Sequence, residues 1–270
     1  MCGVGGELIA ALADLVLPRA CAGCGVPGRI LCPRCAELLA MPRLATPRRF
    51  PWGFPPTAAA GAYSGPVRPA VNAFKEQGRT ELARPLGTAL ALAVAAVVGA
   101  APPARRPVLL VPVPSAAAAL RARGRDHVAE LTGRAVAELR TAGLAAGEAR
   151  LLRRRGRVRD SAGLSAAARR ANLAGSFEPV GAGSPRPIPG ALLVLVDDVV
   201  TSGATLTEAA AVLSAVRRPD DPPVLAAVVA ATPRRPPGAP SKRDLGVARK
   251  RAEIVCDDPT CRLSGPGSRD

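Results

Sequence analysis

Aromatic side chains are nearly missing from this chain: four Phe, one Tyr and one Trp among 270 residues. Proteins that follow single-stranded nucleic acid stack bases on such rings, so the sequence offers little for that mode of binding. The same scarcity leaves no recognisable pocket for a nucleobase. Lysine is equally rare. Lys75, Lys242 and Lys250 are the only three among 37 basic residues, and the other 34 are arginines. Long apolar runs are absent too. The longest, Leu86 to Ala101, is broken by Gly87, Thr88 and Gly99 and closed by Pro102 and Pro103. It falls short of the ~20 residues of a membrane span, so no span is expected. The first twenty residues lack a basic leading region and include Glu7 and Asp14, which argues against a secretory signal. A reducing, cytoplasmic location follows, and there cysteines serve as metal ligands or free thiols rather than as a disulfide framework.

What is present is an apolar fraction of 48%, too high for a disordered chain, and a net charge of +16. The charge has two readings. It reports a nucleic-acid partner, or it is a solvated surface in a sequence that overuses Arg, Ala, Gly and Pro together. Composition divides the chain into four parts. Residues 1–40 hold a short amphipathic helix (Leu8, Ile9, Leu12, Leu15, Val16) and a cysteine cluster. Residues 41–57 are rich in Pro and Arg and read as a linker. Residues 58–231 alternate strand and helix patterns, and 232–270 form a basic tail expected to be disordered. Apolar runs at 108–113, 191–196 and 224–231 predict buried strands. Helical spacing predicts helices over 126–140 and 204–217. Such alternation gives an α/β fold with a parallel sheet covered on both faces, which binds ligands beyond the carboxyl ends of its strands.

Cys21, Cys24, Cys32 and Cys35 form two C-x2-C pairs seven residues apart. Pairs this close can aim four sulfurs at one tetrahedral centre, the arrangement Zn²⁺ favours, with no position left for substrate. An iron–sulfur centre, redox pairs or free thiols are the alternatives. Cys2, Cys256 and Cys261 receive no role.

The stretch VLVDDVVTSGATL, Val194 to Leu206, carries the most chemistry. An apolar strand is expected to end at Asp197 and Asp198, followed by a loop and a helix. The loop, Val199, Val200, Thr201, Ser202, Gly203, Ala204 and Thr205, can turn amides and hydroxyls toward one phosphate at a helix N-terminus. The two carboxylates beside it can accept hydrogen bonds from vicinal sugar hydroxyls. A phosphate next to such hydroxyls describes ribose 5-phosphate. The alternative is an ordinary capped strand–turn–helix.

This stretch resembles the 5-phosphoribosyl-1-pyrophosphate (PRPP) signature of type I phosphoribosyltransferases. With the four cysteines ahead of it, the chain resembles the ComF family, linked to DNA uptake in natural competence. The resemblance runs from about Pro18 to Ala231. It takes in CAGC…CPRC, the Tyr63–Arg68 segment, Phe74-Lys75 with Gly78-Arg79, VPVPS, Arg123-Gly124, and Arg169–Asn172 with Phe177. It implies a type I phosphoribosyltransferase-like sheet with flanking helices behind a small zinc-binding unit. It also implies PRPP with Mg²⁺ as ligand, and single-stranded DNA and competence proteins as partners. Asp197 and Asp198 would hold the ribose. Pro114, Ser115 and Arg123 would meet pyrophosphate, and Lys75, Arg79 and Arg125 would face phosphates. The arginines at 150, 153, 154, 155, 157 and 159 belong to a lid over the site, to a track for single-stranded DNA, or to a solvated loop.

The chain departs from the family pattern after Arg123-Gly124, where an aromatic-Asn-Gln segment is usual. Arg125, Asp126 and His127 stand there. Ser161 stands where a glutamine is usual, and Ser202 where threonine is common. His127, the only histidine, reads as a surface residue at a helix N-terminus, with a catalytic base as the alternative. Two functions follow: ribosyl 5-phosphate transfer from PRPP to an acceptor, or a non-catalytic DNA-handling protein on the same scaffold.

Overall fold

The computed structural model describes residues 20–47, 51–101, 106–155, 175–180 and 190–233, all within the first of two units, which ends at Arg234. The expected N-terminal helix, most of the arginine-rich lid segment and the tail lie outside these residues.

The strands are β1 (Arg43–Leu44), β2 (Thr57–Ala62), β3 (Val108–Pro112), β4 (Ala146–Glu148), β5 (Leu152–Arg154), β6 (Phe177–Pro179), β7 (Leu192–Val200) and β8 (Leu225–Ala231). The helices are α1 (Pro33–Glu37), α2 (Val67–Glu76), α3 (Ala83–Gly99), α4 (Ala117–Arg123), α5 (His127–Thr141) and α6 (Ala204–Ala215). Six strands form one sheet in the order β1-β2-β8-β7-β3-β4, parallel except for the edge strand β1. β5 and β6 make a separate antiparallel pair. The chain is thus α/β with a mostly parallel sheet, and the strands predicted at 108–113, 191–196 and 224–231 are three of its four interior ones.

Alternation along β7 builds two cores. Val194 and Val196 face the layer that contains Phe74, Leu86, Leu90, Leu131 and Leu139 from α2, α3 and α5. Leu193 and Leu195 face Leu206 and Leu213 of α6 and Phe177 of β6. The period of two along a strand makes this partition, and burial of both faces explains the unbroken apolar run.

Three expectations change. The segment read as a linker contributes β1, which pairs Arg43 with Ala59 and Leu44 with Ala58. Ala45 and Phe54 are buried beside it. Proline masks a strand only two residues long, because local composition carries no signal of edge pairing. β7 does not stop at the carboxylates; it runs through them to Val200, since β8 stays paired as far as Val200↔Ala231. The apolar run before Pro102 belongs to a helical stretch, Thr80–Gly99, whose 20 residues and hydropathy of 1.7 are sufficient to cross a membrane. Here 56% of that window is buried within the protein, under the sheet and against α5.

Candidate functional site

The cysteine cluster sits at the start of the described chain. Cys21, Cys32 and Cys35 are buried and Cys24 is exposed. The four sulfurs lie within 4.8 Å of one another, with Cys24 Sγ and Cys32 Sγ 3.6 Å apart. A tetrahedral ion with bonds of about 2.3 Å would space its sulfurs about 3.8 Å apart, so the cluster fits a metal such as zinc. The Cys32 amide donates to Cys21 Sγ at 3.3 Å. Burial opposes ionisation of Cys21, yet the amides of Cys24, Cys32 and Gly23 outweigh it and bring the thiol down to about 6. Burial and its thiol neighbours push Cys35 upward. Gly23 is obligatory for close approach, because a Cβ there would stand 2.8 Å from Cys35 Sγ and 3.0 Å from the Pro66 carbonyl. The unit is packed onto the sheet domain: Leu39 joins the main core, and Arg79 donates to the Ala20 carbonyl at 3.0 Å.

The second site lies at the carboxyl end of the sheet. β3 follows β7 only to Pro112↔Val196, with a last bond from the Val113 amide to the Val196 carbonyl. Beyond that point Asp197 and Asp198 project from β7 beside the gap that β3 leaves. A cavity of about 400 Å³ opens there. Of the residues predicted from sequence, Lys75, Pro114, Ser115, Arg123, Asp197, Asp198, Val199, Thr201 and Thr205 line it. Val200 is buried, while Ser202, Gly203 and Ala204 shape the loop without lining the cavity. Gly203 adopts φ +80°, and an added Cβ would meet the Phe54 ring at 2.9 Å. The loop is therefore held from behind by Phe54 and needs glycine twice over. As the N-cap of α6, Gly203 offers no side-chain acceptor; the Ala204 amide donates to Ser202 Oγ at a long 3.4 Å, and the dipole of the first turn still favours an anion.

Arg79 and Arg125 do not line the cavity. Arg79 serves the cysteine unit and pairs with Glu81. Arg125 pairs with Glu130, donates to the Phe74 carbonyl and lies 4.2 Å over the Phe74 ring. Its hydrogen bonds hold Glu130 below the usual carboxylate range against the effect of burial.

The two aspartates differ sharply. Asp198 is buried; its Oδ2 accepts from Lys75 Nζ at 2.8 Å and from His127 Nε2 at 3.2 Å, and its Oδ1 from the Val199 amide at 2.7 Å. Burial alone would raise this acid, but His127 and Lys75 hold it well below its usual range. Lys75 is raised in turn, because Asp198 outweighs the cost of burial. Asp197 accepts from the Asp198 amide at 2.8 Å, and its carboxyl also meets that of Asp198. Burial and the charge of Asp198 raise it well above its usual range. The pair thus carries one firm charge and one proton that is released late.

Three polar cavity residues were not singled out as site residues from the sequence. His127 is at a helix N-terminus as expected, but it is buried with 2% exposure rather than on the surface. Tyr63 lines the cavity and donates to Asn72 Oδ1 at 2.7 Å. Arg154 donates to the Pro114 carbonyl at 3.0 Å and lies over Phe177. It alone of the described arginines in its run lines the cavity, while Arg150, Arg153 and Arg155 point outward with exposures of 68%, 62% and 71%. Nothing in a run of six arginines marks the one that strand pairing turns inward. The lone histidine gave no spacing to read.

No protein-family model matches the chain, and no curated protein matches it.

Proposed function

We propose that the cavity at the end of β7 binds a phosphoribosyl ligand, PRPP or a close relative, on a type I phosphoribosyltransferase-like sheet of the ComF kind. One observation carries the reading. Asp197 and Asp198, Thr201 and Thr205, and the Pro114–Ser115 turn meet around a single cavity with cationic Arg123 and Arg154 at its wall. The loop and the first turn of α6 would take the 5-phosphate. Asp197, with an oxygen to spare, would take the ribose hydroxyls, while Arg123 and Arg154 suit pyrophosphate. Mg²⁺ arriving with the ligand would neutralise charge on the departing pyrophosphate, with Asp197 as the protein's oxygen donor. Transfer to an acceptor would then invert the anomeric carbon. Zn²⁺ in the cysteine cluster would be structural, since four sulfurs leave no open position. The setting is the cytoplasm, in company with competence proteins during DNA uptake.

A second reading, non-catalytic handling of single-stranded DNA, is favoured by the outward arginines 150, 153 and 155 and by Trp52, which is wholly exposed. Calorimetric titration separates the two. The phosphoribosyl reading expects saturable PRPP binding with Mg²⁺ that is lost in Asp197→Asn. The DNA reading expects oligonucleotide binding with a steep salt slope and no heat from PRPP. Silence from both ligands overturns both.

A further inference from the structure

Lys75, Asp198, His127, Arg123 and Glu76 form one chain of contacts, the first four of them in the cavity wall. Its centre is the only histidine of the sequence. His127 Nε2 lies 3.2 Å from Asp198 Oδ2, and its Nδ1 lies 3.4 Å from Arg123 Nη1. Arg123 is anchored on the other side by Glu76, with Nε to Oε2 and Nη2 to Oε1 both at 3.0 Å. The ring packs edge-on to Phe74 and is closed off from solvent.

The donor set decides where the proton sits. A guanidinium can only donate, so Nδ1 must accept and carries no proton. An ionised carboxylate can only accept, so Nε2 carries it. An imidazolium would set an N–H against the guanidinium. A ring protonated at Nδ1 would do that and also leave Asp198 facing a lone pair.

We propose that His127 is the positioning residue of this site: a neutral imidazole, protonated at Nε2, that locks Asp198 together with Lys75 and ties it to Arg123 in the cavity wall. Asp198 then cannot turn, so its neighbour Asp197 meets the ligand in a fixed pose. The arginine on the pyrophosphate side is registered to the ribose side through a single ring. Its role depends on the phosphoribosyl reading, but its proton state does not. The departure from the aromatic-Asn-Gln pattern acquires a chemical reason. A glutamine amide also offers a donor nitrogen and an acceptor oxygen, so the two side chains can serve the same pair of neighbours.

Two measurements test this on the full chain, without a histidine tag. The first needs no ligand. With ¹⁵N-labelled histidine the protein gives signals from one ring only, and near neutral pH these are expected to report the neutral Nε2–H tautomer. Asp198→Asn should shift them. The Nδ1–H tautomer or an imidazolium would overturn the proposal, whatever the protein binds. The second is PRPP–Mg²⁺ affinity. His127→Ala is expected to weaken it roughly ten- to a hundredfold, as for loss of a hydrogen bond to a charged group. His127→Gln should stay within about threefold, and added imidazole should restore part of the His127→Ala loss. If His127→Ala unfolds, His127→Gln against His127→Leu replaces it. Equal loss in Gln and Leu variants, or no loss in either, would overturn the role. A wild-type protein with the expected tautomer but no PRPP binding would overturn the phosphoribosyl reading, and with it the role, while leaving the proton state intact.

Discussion

The cysteine cluster and the cavity both withdraw a few polar groups from water, but they settle the cost in opposite ways. The cluster gathers four groups of one kind. As thiolates they would repel, and the partners its own residues supply are amides such as that of Cys32. Its geometry is compatible with an outside cation, and a metal bound there would add to the folding free energy. The cavity mixes signs. Lys75, His127 and the Val199 amide satisfy Asp198 from within, so the network needs no ligand to persist. Asp197 has no cationic partner of its own among the described residues, and it lines the cavity. On the proposed reading the cysteine cluster would be completed by the metal it binds, whereas the cavity network is already complete except at one group.

Variants that attack the two regions should therefore differ in kind. The largest effect is expected from Cys32→Ser. It should lose about one equivalent of metal and lower the Tm more than any cavity substitution does, as measured by metal analysis and thermal unfolding. Retention of both metal and Tm would remove the contrast.

The aspartates should come next, with opposite signs. Asp198→Asn strips the acceptor charge from Lys75 and His127 and is expected to cost about 3 kcal/mol, the low end for a buried pair because Lys75 is partly exposed. Asp198 is lowered in the folded protein, so its contribution is full above the usual carboxylate range and is lost as the pH falls below it. Asp197 is raised, so it costs stability once the pH climbs above its unfolded value. Asp197→Asn should stabilise the ligand-free protein at neutral pH, with the gain vanishing near pH ~4, where the unfolded carboxyl is protonated too. Denaturant unfolding at several pH values reads both signs. A destabilised Asp197→Asn would mean that the two carboxylates are alike.

Gly203→Ala is expected to cost about 1–3 kcal/mol, from the left-handed backbone and from the Phe54 ring behind it, and to loosen anion binding at the loop. The smallest effect belongs to Arg79→Ala. Away from the cavity and partly exposed, it should cost about 0–1 kcal/mol and leave PRPP affinity unchanged. Loss of PRPP binding there would return Arg79 to the phosphate side.

Much of this division was legible in the sequence. Cysteine spacing pointed to one centre, and the geometry is compatible with a metal there. Apolar runs located β3, β7 and β8, because strands buried on both faces need unbroken hydrophobicity. Asp197-Asp198 stood out because two carboxylates at the end of such a run have no packing use. What stayed hidden depends on contacts between distant segments. Lys75 reads as a phosphate contact and does line the cavity, but the sequence does not show that α2 sets it 2.8 Å from Asp198. Arg154 and Arg153 are adjacent in sequence, and only the pairing of β5 with β6 separates inward from outward. His127 is one residue with no periodic partner, and its meaning appears only when α5 carries it beneath β7.

A crystal structure of the protein with PRPP and Mg²⁺ would decide whether the end of β7 is a phosphoribosyl site. The 5-phosphate is expected at the 201–205 loop, the ribose hydroxyls at Asp197 and the pyrophosphate between the Pro114–Ser115 segment and Arg154. Ligand bound at the outward arginines 150, 153 and 155, with the β7 cavity holding only water, would contradict it.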